Sequence, residues 1–294
     1  VSIDQEDIDL SNQTEISFTF NNAEVDTTYN YTIDDEDTST EAITGSGNVS
    51  ATDETISGID VSSLSDGQLI LTVTLIDAAG NTGSEVSDSV EKDTVKPTLP
   101  TVSINSSNET AGQATVGDTV TLNLTASEAI ETPAVTIAGK PADNITDAGD
   151  DDATTWKAEY TMQNGDPEGE INFTIDYEDL VGNSGNQVTD TTDETEVIYD
   201  ETVPTGYSVS IDQEDIDLSN QTEISFTFSN AEVNTTYNYT IDDKDTSTEA
   251  ITGSGNVSAT DETISGIDVS NLSDGQLILT VTLIDAAGNT GSEV

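Results

Sequence analysis

The stretch LILTVTLIDAAGN, residues 69–81, alternates its side chains with a period of two and then turns. Leu69, Leu71, Val73 and Leu75 share one face, while Ile70 and Ile76 stand on the other, the pattern of a strand central to its sheet. Ala79-Gly80-Asn81 supplies the chemistry of a turn. The same alternation recurs in Ile16, Phe18 and Phe20 and in Tyr29, Tyr31 and Ile33, and helix signals are almost absent. Asn21-Asn22, Asp34 to Thr40, Gly45 to Asn48 and Ser65-Asp66-Gly67 read as the turns between runs. About seven short strands in roughly 100 residues predict an all-β fold, an antiparallel sandwich of immunoglobulin type.

The opening stretch returns at residues 277–289 as part of a longer echo. Residues 209–294 repeat residues 1–86 in register and differ only at Asn21/Ser229, Asp26/Asn234, Glu36/Lys244 and Ser63/Asn271. The offset spans two units of about 104 residues, so a third, divergent unit lies between. There Val102 and Ile104 match the first strand, and Val120, Leu122 and Leu124 the second. Trp156, Ala158, Tyr160 and Met162 fit the fifth strand, and Ile171, Phe173 and Ile175 the sixth, with Trp156 read as core. The segments DTVKPT (93–98) and DETVPT (200–205) mark the boundaries, each stiffened by a proline. Three tandem sandwiches follow, at 1–95, 96–203 and 204–294, set end to end as a rod by connectors so short that neighbours nearly touch. The third is expected to have an incomplete last strand. The sequence opens directly on a strand-like segment without a signal-peptide pattern, which reads as a piece of a longer protein.

Five lysines, no arginine and 59 acidic residues give a net charge of −54. Nucleic acid and anionic membrane surfaces both need a basic footprint and are excluded as default partners. No apolar run approaches the roughly 20 residues that span a bilayer. The acidity also reads as solubility or adaptation to saline surroundings, with cation binding reserved for carboxylates clustered in loops. Histidine and cysteine are both absent, which removes the usual zinc ligands and every Ser-His or Cys-His arrangement. A catalytic centre is needed once per chain, whereas a spacer gains from being copied. The expectation is therefore a non-enzyme.

The strand and loop ending in Asp77-Ala-Ala-Gly-Asn81, followed by an acidic, proline-bearing linker, resembles the bacterial immunoglobulin-like extender repeats of giant surface adhesins. Those proteins are calcium-dependent, type I-secreted and of RTX type, and the resemblance covers all three units. It implies an extracellular location on a bacterial surface, a role in adhesion and biofilms, and calcium in the linkers that rigidifies the rod and projects a distal binding domain.

Calcium takes six to eight oxygen ligands, and no segment matches the twelve-residue EF-hand loop, so a site must be assembled from separate loops. In an immunoglobulin-type sandwich the loops after the second and sixth strands share the pole that faces the preceding linker. Glu128, Asp179 and Asn183 are therefore expected opposite Asp93, and Glu232, Asp285 and Asn289 opposite Asp200. Glu24, Asp77 and Asn81 are the same set in the first unit, without an upstream linker. Gly80, Gly182 and Gly288 are read as letting the loop bend back. Any one such loop also reads as an ordinary Asp/Gly/Asn turn; loop and linker together favour calcium.

Other acidic groups, Asp34, Asp35 and Asp37 and the run Gly149–Asp152, read as solvated turns. The partners expected are calcium ions and neighbouring repeats of a monomeric rod. The alternative is an adhesive module that itself binds a glycan, a surface or another copy.

Overall fold

The computed structural model describes residues 1–149 and 152–294. The acidic run at Gly149–Asp152 thus lies partly outside the described residues. Among the described residues, all regular structure is β.

In the first unit the strands are β1 (Ser2–Ile3), β2 (Asp7–Ile8), β3 (Ile16–Thr19), β4 (Thr28–Asp34), β5 (Ile43–Asn48), β6 (Thr55–Ile59), β7 (Gly67–Ile76) and β8 (Val86–Lys92). They form two sheets, ordered β1-β3-β6 and β2-β8-β7-β4-β5. All pairings are antiparallel except β2 with β8. The two sheets close on a core in which Ile16 and Phe18 of one face Ile33, Leu69, Leu71 and Val73 of the other, each at most 1% exposed. Aromatic edges lock the layers: Phe18 meets Tyr31 at 5.4 Å between ring centroids, and Phe20 meets Tyr29 at 5.4 Å.

One sequence reading is corrected here. Gly45 to Asn48 is not a turn but most of strand β5, paired with β4 from Thr28↔Asn48 to Ile33↔Ile43. Glycine weakens a strand but leaves room for a neighbour's side chain. The Tyr29 and Tyr31 rings lie across Gly47 and Gly45, and a Cβ on Gly47 would sit 2.5 Å from the Tyr29 hydroxyl. Gly47→Ala will lower the stability of this unit by about 1–3 kcal/mol through overpacking, and calorimetric melting checks it.

The other units repeat the scheme. In the middle unit a four-stranded sheet runs in the order Asn144–Asp147, Thr155–Thr161, Thr119–Thr125, Thr101–Ser106. It faces Lys140–Pro141, Ala134–Ile137 and Phe173–Asp176, with a small third sheet joining Gln113–Ala114, Ile198–Tyr199 and Gly169–Glu170. Trp156 is core, 7% exposed, its indole N–H donating to the Ala153 carbonyl at 3.0 Å. The third unit has two three-stranded sheets, built from Ser208–Ile211, Ile224–Ser229 and Thr263–Ile267, and from Ile251–Asn256, Thr236–Asp242 and Ile278–Ile284. Each unit has its own hydrophobic cluster, running from Ile8 to Val90, Leu99 to Tyr199 and Tyr207 to Leu283.

Candidate metal sites at the joints between units

The loop that carries Asp-x-x-Gly-Asn in each sandwich, Asp77–Asn81, Asp179–Asn183 and Asp285–Asn289, folds in the same way. In the middle unit one Asp179 oxygen accepts from the Val181 and Asn183 backbone N–H groups at 3.0 and 2.8 Å, and the other accepts from the Asn183 amide at 2.8 Å. The Asp179 N–H then donates to the Asn183 carbonyl, closing the turn. The chain must double back between them, and Gly182 does so at φ +99°, as Gly80 and Gly288 do at +88° and +93°. A short aspartate and a left-handed glycine thus make a rigid knuckle from local sequence alone.

What differs among the three knuckles is what they touch. At the first joint the Asn183 amide donates to the Asp93 carbonyl at 2.9 Å, and its oxygen accepts from the Leu10 N–H at 3.0 Å. Asp179 and Asn183 are each 2% exposed. Asn183 is therefore a clasp, with both ends of its amide engaged across the joint. On the other side Ser127 pairs with Thr98 of the connector, its hydroxyl accepting at 3.0 Å and its N–H donating at 2.9 Å. Glu128 follows directly. As a result Asp93, Glu128 and Asp179 bring carboxylate oxygens within 4.8 Å of one another.

The second joint has the same clasp. The Asn289 amide donates to the Asp200 carbonyl at 2.9 Å and to Asp285 at 3.0 Å, and its oxygen accepts from the Thr115 hydroxyl. The Asn108 amide adds a bond to the Ala287 carbonyl at 2.8 Å. Asp200, Glu232 and Asp285 face one another closely enough to interact electrostatically, with Glu168 beside Asp200. In the first unit the knuckle closes on itself, Asn81 donating to Asp77 at 2.8 Å. Asn81 and Glu24 are exposed there and line a cleft together with Asp77.

The joint residues that sequence reasoning missed come from the lower pole of the preceding unit: Leu10, Asn108 and Thr115. Their only trace in sequence is the apolar Leu10 in a polar segment. Leu10 itself is 41% exposed.

Burial comes first in pushing the Glu128 carboxyl above its usual range, followed by the charges of Asp93 and Asp179. Glu232 is raised in the same way by partial desolvation, Asp285 and Asp200, and Asp200 by desolvation and then Asp285 and Glu168. Groups with raised values stabilise the fold when protonated, and that contribution is lost as pH rises through the raised values. In chelator the joints will therefore weaken as pH climbs through and above the ordinary carboxylate range. Melting temperature against pH checks this, and Glu128→Gln should flatten the trend at the first joint.

All the donors gathered here are oxygens, and most are carboxylates. A hard divalent cation fits such a set, and neither zinc nor a redox metal would be selected by it. Asp93, Glu128 and Asp179 at the first joint are the side chains that would hold it, and among the described residues theirs is the one carboxylate triad drawn within 4.8 Å; at the second joint Asp200, Glu232 and Asp285 are the equivalent set, interacting without converging as tightly.

These features define the class: tandem, all-β, immunoglobulin-like sandwiches joined through acidic, clasped connectors. No protein-family model matches the chain, and no curated protein matches it. Among solved structures it is similar to a tetra-tandem repeat in the extending region of a large adhesion protein, at 21% identity and a TM-score of 0.32, over 99% of this chain and 71% of that one. It is also similar to fibronectin(III)-like modules of Clostridium thermocellum CbhA, at 12% identity and a TM-score of 0.33, over 68% of this chain and 93% of that one. A marsupial T cell receptor matches at 10% identity and a TM-score of 0.38, over 96% and 94% of the two chains. None of these scores assigns an activity.

Proposed function

We propose that this chain is an extender segment of a large bacterial surface adhesin, stiffened by calcium at the joints between its units. The observation that carries the reading is the first joint, where three carboxylates from a connector and two loops converge within 4.8 Å. Like charges brought this close repel at a hinge, so the bare joint is biased toward opening. A bound divalent cation reverses the sign of that interaction and turns the hinge into a strut. The clasps of Asn183 and Asn289 already fix the backbone on either side. The cation has only to neutralise the side chains.

An extender works by length and stiffness, and near-copying of units supplies length. Extracellular calcium sites of this kind bind with a Kd of about 10⁻⁴–10⁻³ M, a range that suits seawater and host fluids and agrees with the proposed location outside the cell. No catalytic role is proposed, and the segment is expected to act as a monomeric rod. Small-angle scattering tests the reading: millimolar calcium should extend and narrow the interatomic distance distribution, and chelator should broaden it. A distribution indifferent to calcium would sink the proposal.

A further inference from the structure

Each connector begins on an aspartate whose backbone splices two units. Asp93 donates its N–H to the Ile8 carbonyl of the first unit at 2.8 Å, and Asp200 donates its N–H to the Ala114 carbonyl of the middle unit at 2.9 Å. Their own carbonyls accept from the Asn183 and Asn289 amides of the units that follow. One carboxylate oxygen of each closes a turn in the connector, accepting from the Val95 and Thr202 N–H groups at 2.9 Å. The backbone of both aspartates is thereby fixed, and what remains to be set is the course of the connector beyond them.

That course is held from behind by an acid of the preceding unit. In the first unit the pairing of β7 with β8 ends at Gly67↔Lys92, one residue before Asp93. Asp66, just outside that pair, accepts from the Thr94 hydroxyl, which lies 3.0 Å from each of its oxygens, and stands 3.3 Å from the Lys92 ammonium. Lys92 is itself buried and tied to the Leu64 carbonyl at 2.6 Å. In the middle unit the pairing of Gly169–Glu170 with Ile198–Tyr199 ends at Gly169↔Tyr199, one residue before Asp200. Glu168, just outside that pair, accepts from the Thr202 hydroxyl at 2.6 Å and the Glu201 N–H at 3.1 Å. Those two donors, the hydroxyl first, hold the Glu168 carboxyl below its usual range. Both acids precede a left-handed glycine, Gly67 at φ +125° and Gly169 at +105°, so they occupy the same place in the fold.

We propose that Asp66 and Glu168 are positioning residues for the joint cation, which staple Thr94 and Thr202 and so aim Asp93 and Asp200 at the following unit. The threonine comes directly after the aspartate in the first connector and two residues after it in the second. The extra methylene of glutamate covers that difference. An acid serving solubility alone has no reason to track the place of a threonine. This role rests on the reading of the joints as calcium sites, and it adds that the unit before each joint sets the affinity of that joint.

Thr94→Val and Thr202→Val test this, because each removes the hydroxyl at nearly constant volume and unchanged charge. Calcium is titrated into the full 294-residue protein while backbone amide shifts read each joint separately, and amide exchange of the connectors is followed in chelator. Thr94→Val is expected to weaken calcium at the first joint about three- to tenfold, the loss of one net hydrogen bond, and to leave the second unchanged. Thr202→Val should do the reverse. In chelator the amide of Val95 should exchange faster in Thr94→Val, and that of Glu201 in Thr202→Val. Thr94→Ser and Thr202→Ser keep the hydroxyl and should keep the parental affinity. Glu168→Ala should match Thr202→Val, and the double variant should cost no more than either, since both remove one contact. An additive loss would make Glu168 a ligand in its own right and overturn its positioning role. A parent that binds calcium with both valine variants unaltered would overturn the proposal alone, whereas a parent with no calcium response would overturn the calcium reading and the proposal with it.

Discussion

Asp179→Ala will cost the middle unit about 3–5 kcal/mol and loosen the first joint. Asp179 is 2% exposed and accepts three hydrogen bonds, from the Val181 and Asn183 backbones and from the Asn183 amide. Truncation leaves those three donors without their acceptor, the two on Asn183 in a buried setting, at about 1–3 kcal/mol for each buried one before relaxation. Asn183 then loses the partner that aims it, and its bonds to the Asp93 carbonyl and the Leu10 N–H weaken with it. The result should appear twice: as a lower melting transition in calorimetry, and as wider interdomain sampling in scattering. Asp77→Ala is the internal control, because its knuckle has the same bonds but takes part in neither of the two joints described. It should leave interdomain geometry unchanged. Equal effects of the two variants on the scattering curve would show that the knuckle has no part in joining units.

Calcium at about 10 mM will stabilise each occupied joint by roughly 1.4–2.7 kcal/mol, from a Kd of about 10⁻³–10⁻⁴ M and the mass-action relation for a ligand that binds only the folded state. For units of this size that raises the melting temperature by several degrees, roughly 4–8 °C per kcal/mol in the smallest domains and less in larger ones. Glu128→Gln should remove most of the response at the first joint and none at the second. Glu232→Gln should do the reverse. The bare Glu128→Gln protein should be no less stable than the parent, because the variant relieves repulsion with Asp93 and Asp179 when no cation is bound. A variant that lost stability in chelator while keeping its calcium response would contradict the assignment of Glu128.

Much of the fold was legible because strand periodicity is a local property. Leu69, Leu71 and Val73 declare their shared face within five residues, and all three are buried. Strand β5 was not legible. Its two glycines carry the signature of a turn, and only the Tyr29 and Tyr31 rings laid across them make sense of an extended chain there. The two-residue strand β2 was missed for a related reason, being too short to show a period. The knuckle at Asp179 could be read from Asp, Gly and Asn, since its bonds lie within four residues of one another. The pairing of Asn183 with Leu10 could not, being a contact over 173 residues between two units.

The sequence by itself determined the repeat, the alternating strands, the acidic loops and the residue types available to a cation, all of which depend on neighbours along the chain. The tertiary structure alone decided which copies of a loop matter. Asp77, Asp179 and Asp285 have the same local sequence logic and nearly the same turn. Asn183 and Asn289 beside the latter two reach across to the carbonyls of Asp93 and Asp200, contacts that the local sequence does not specify. Burial and charge density depend on what arrives from elsewhere in the chain, and no local pattern encodes that.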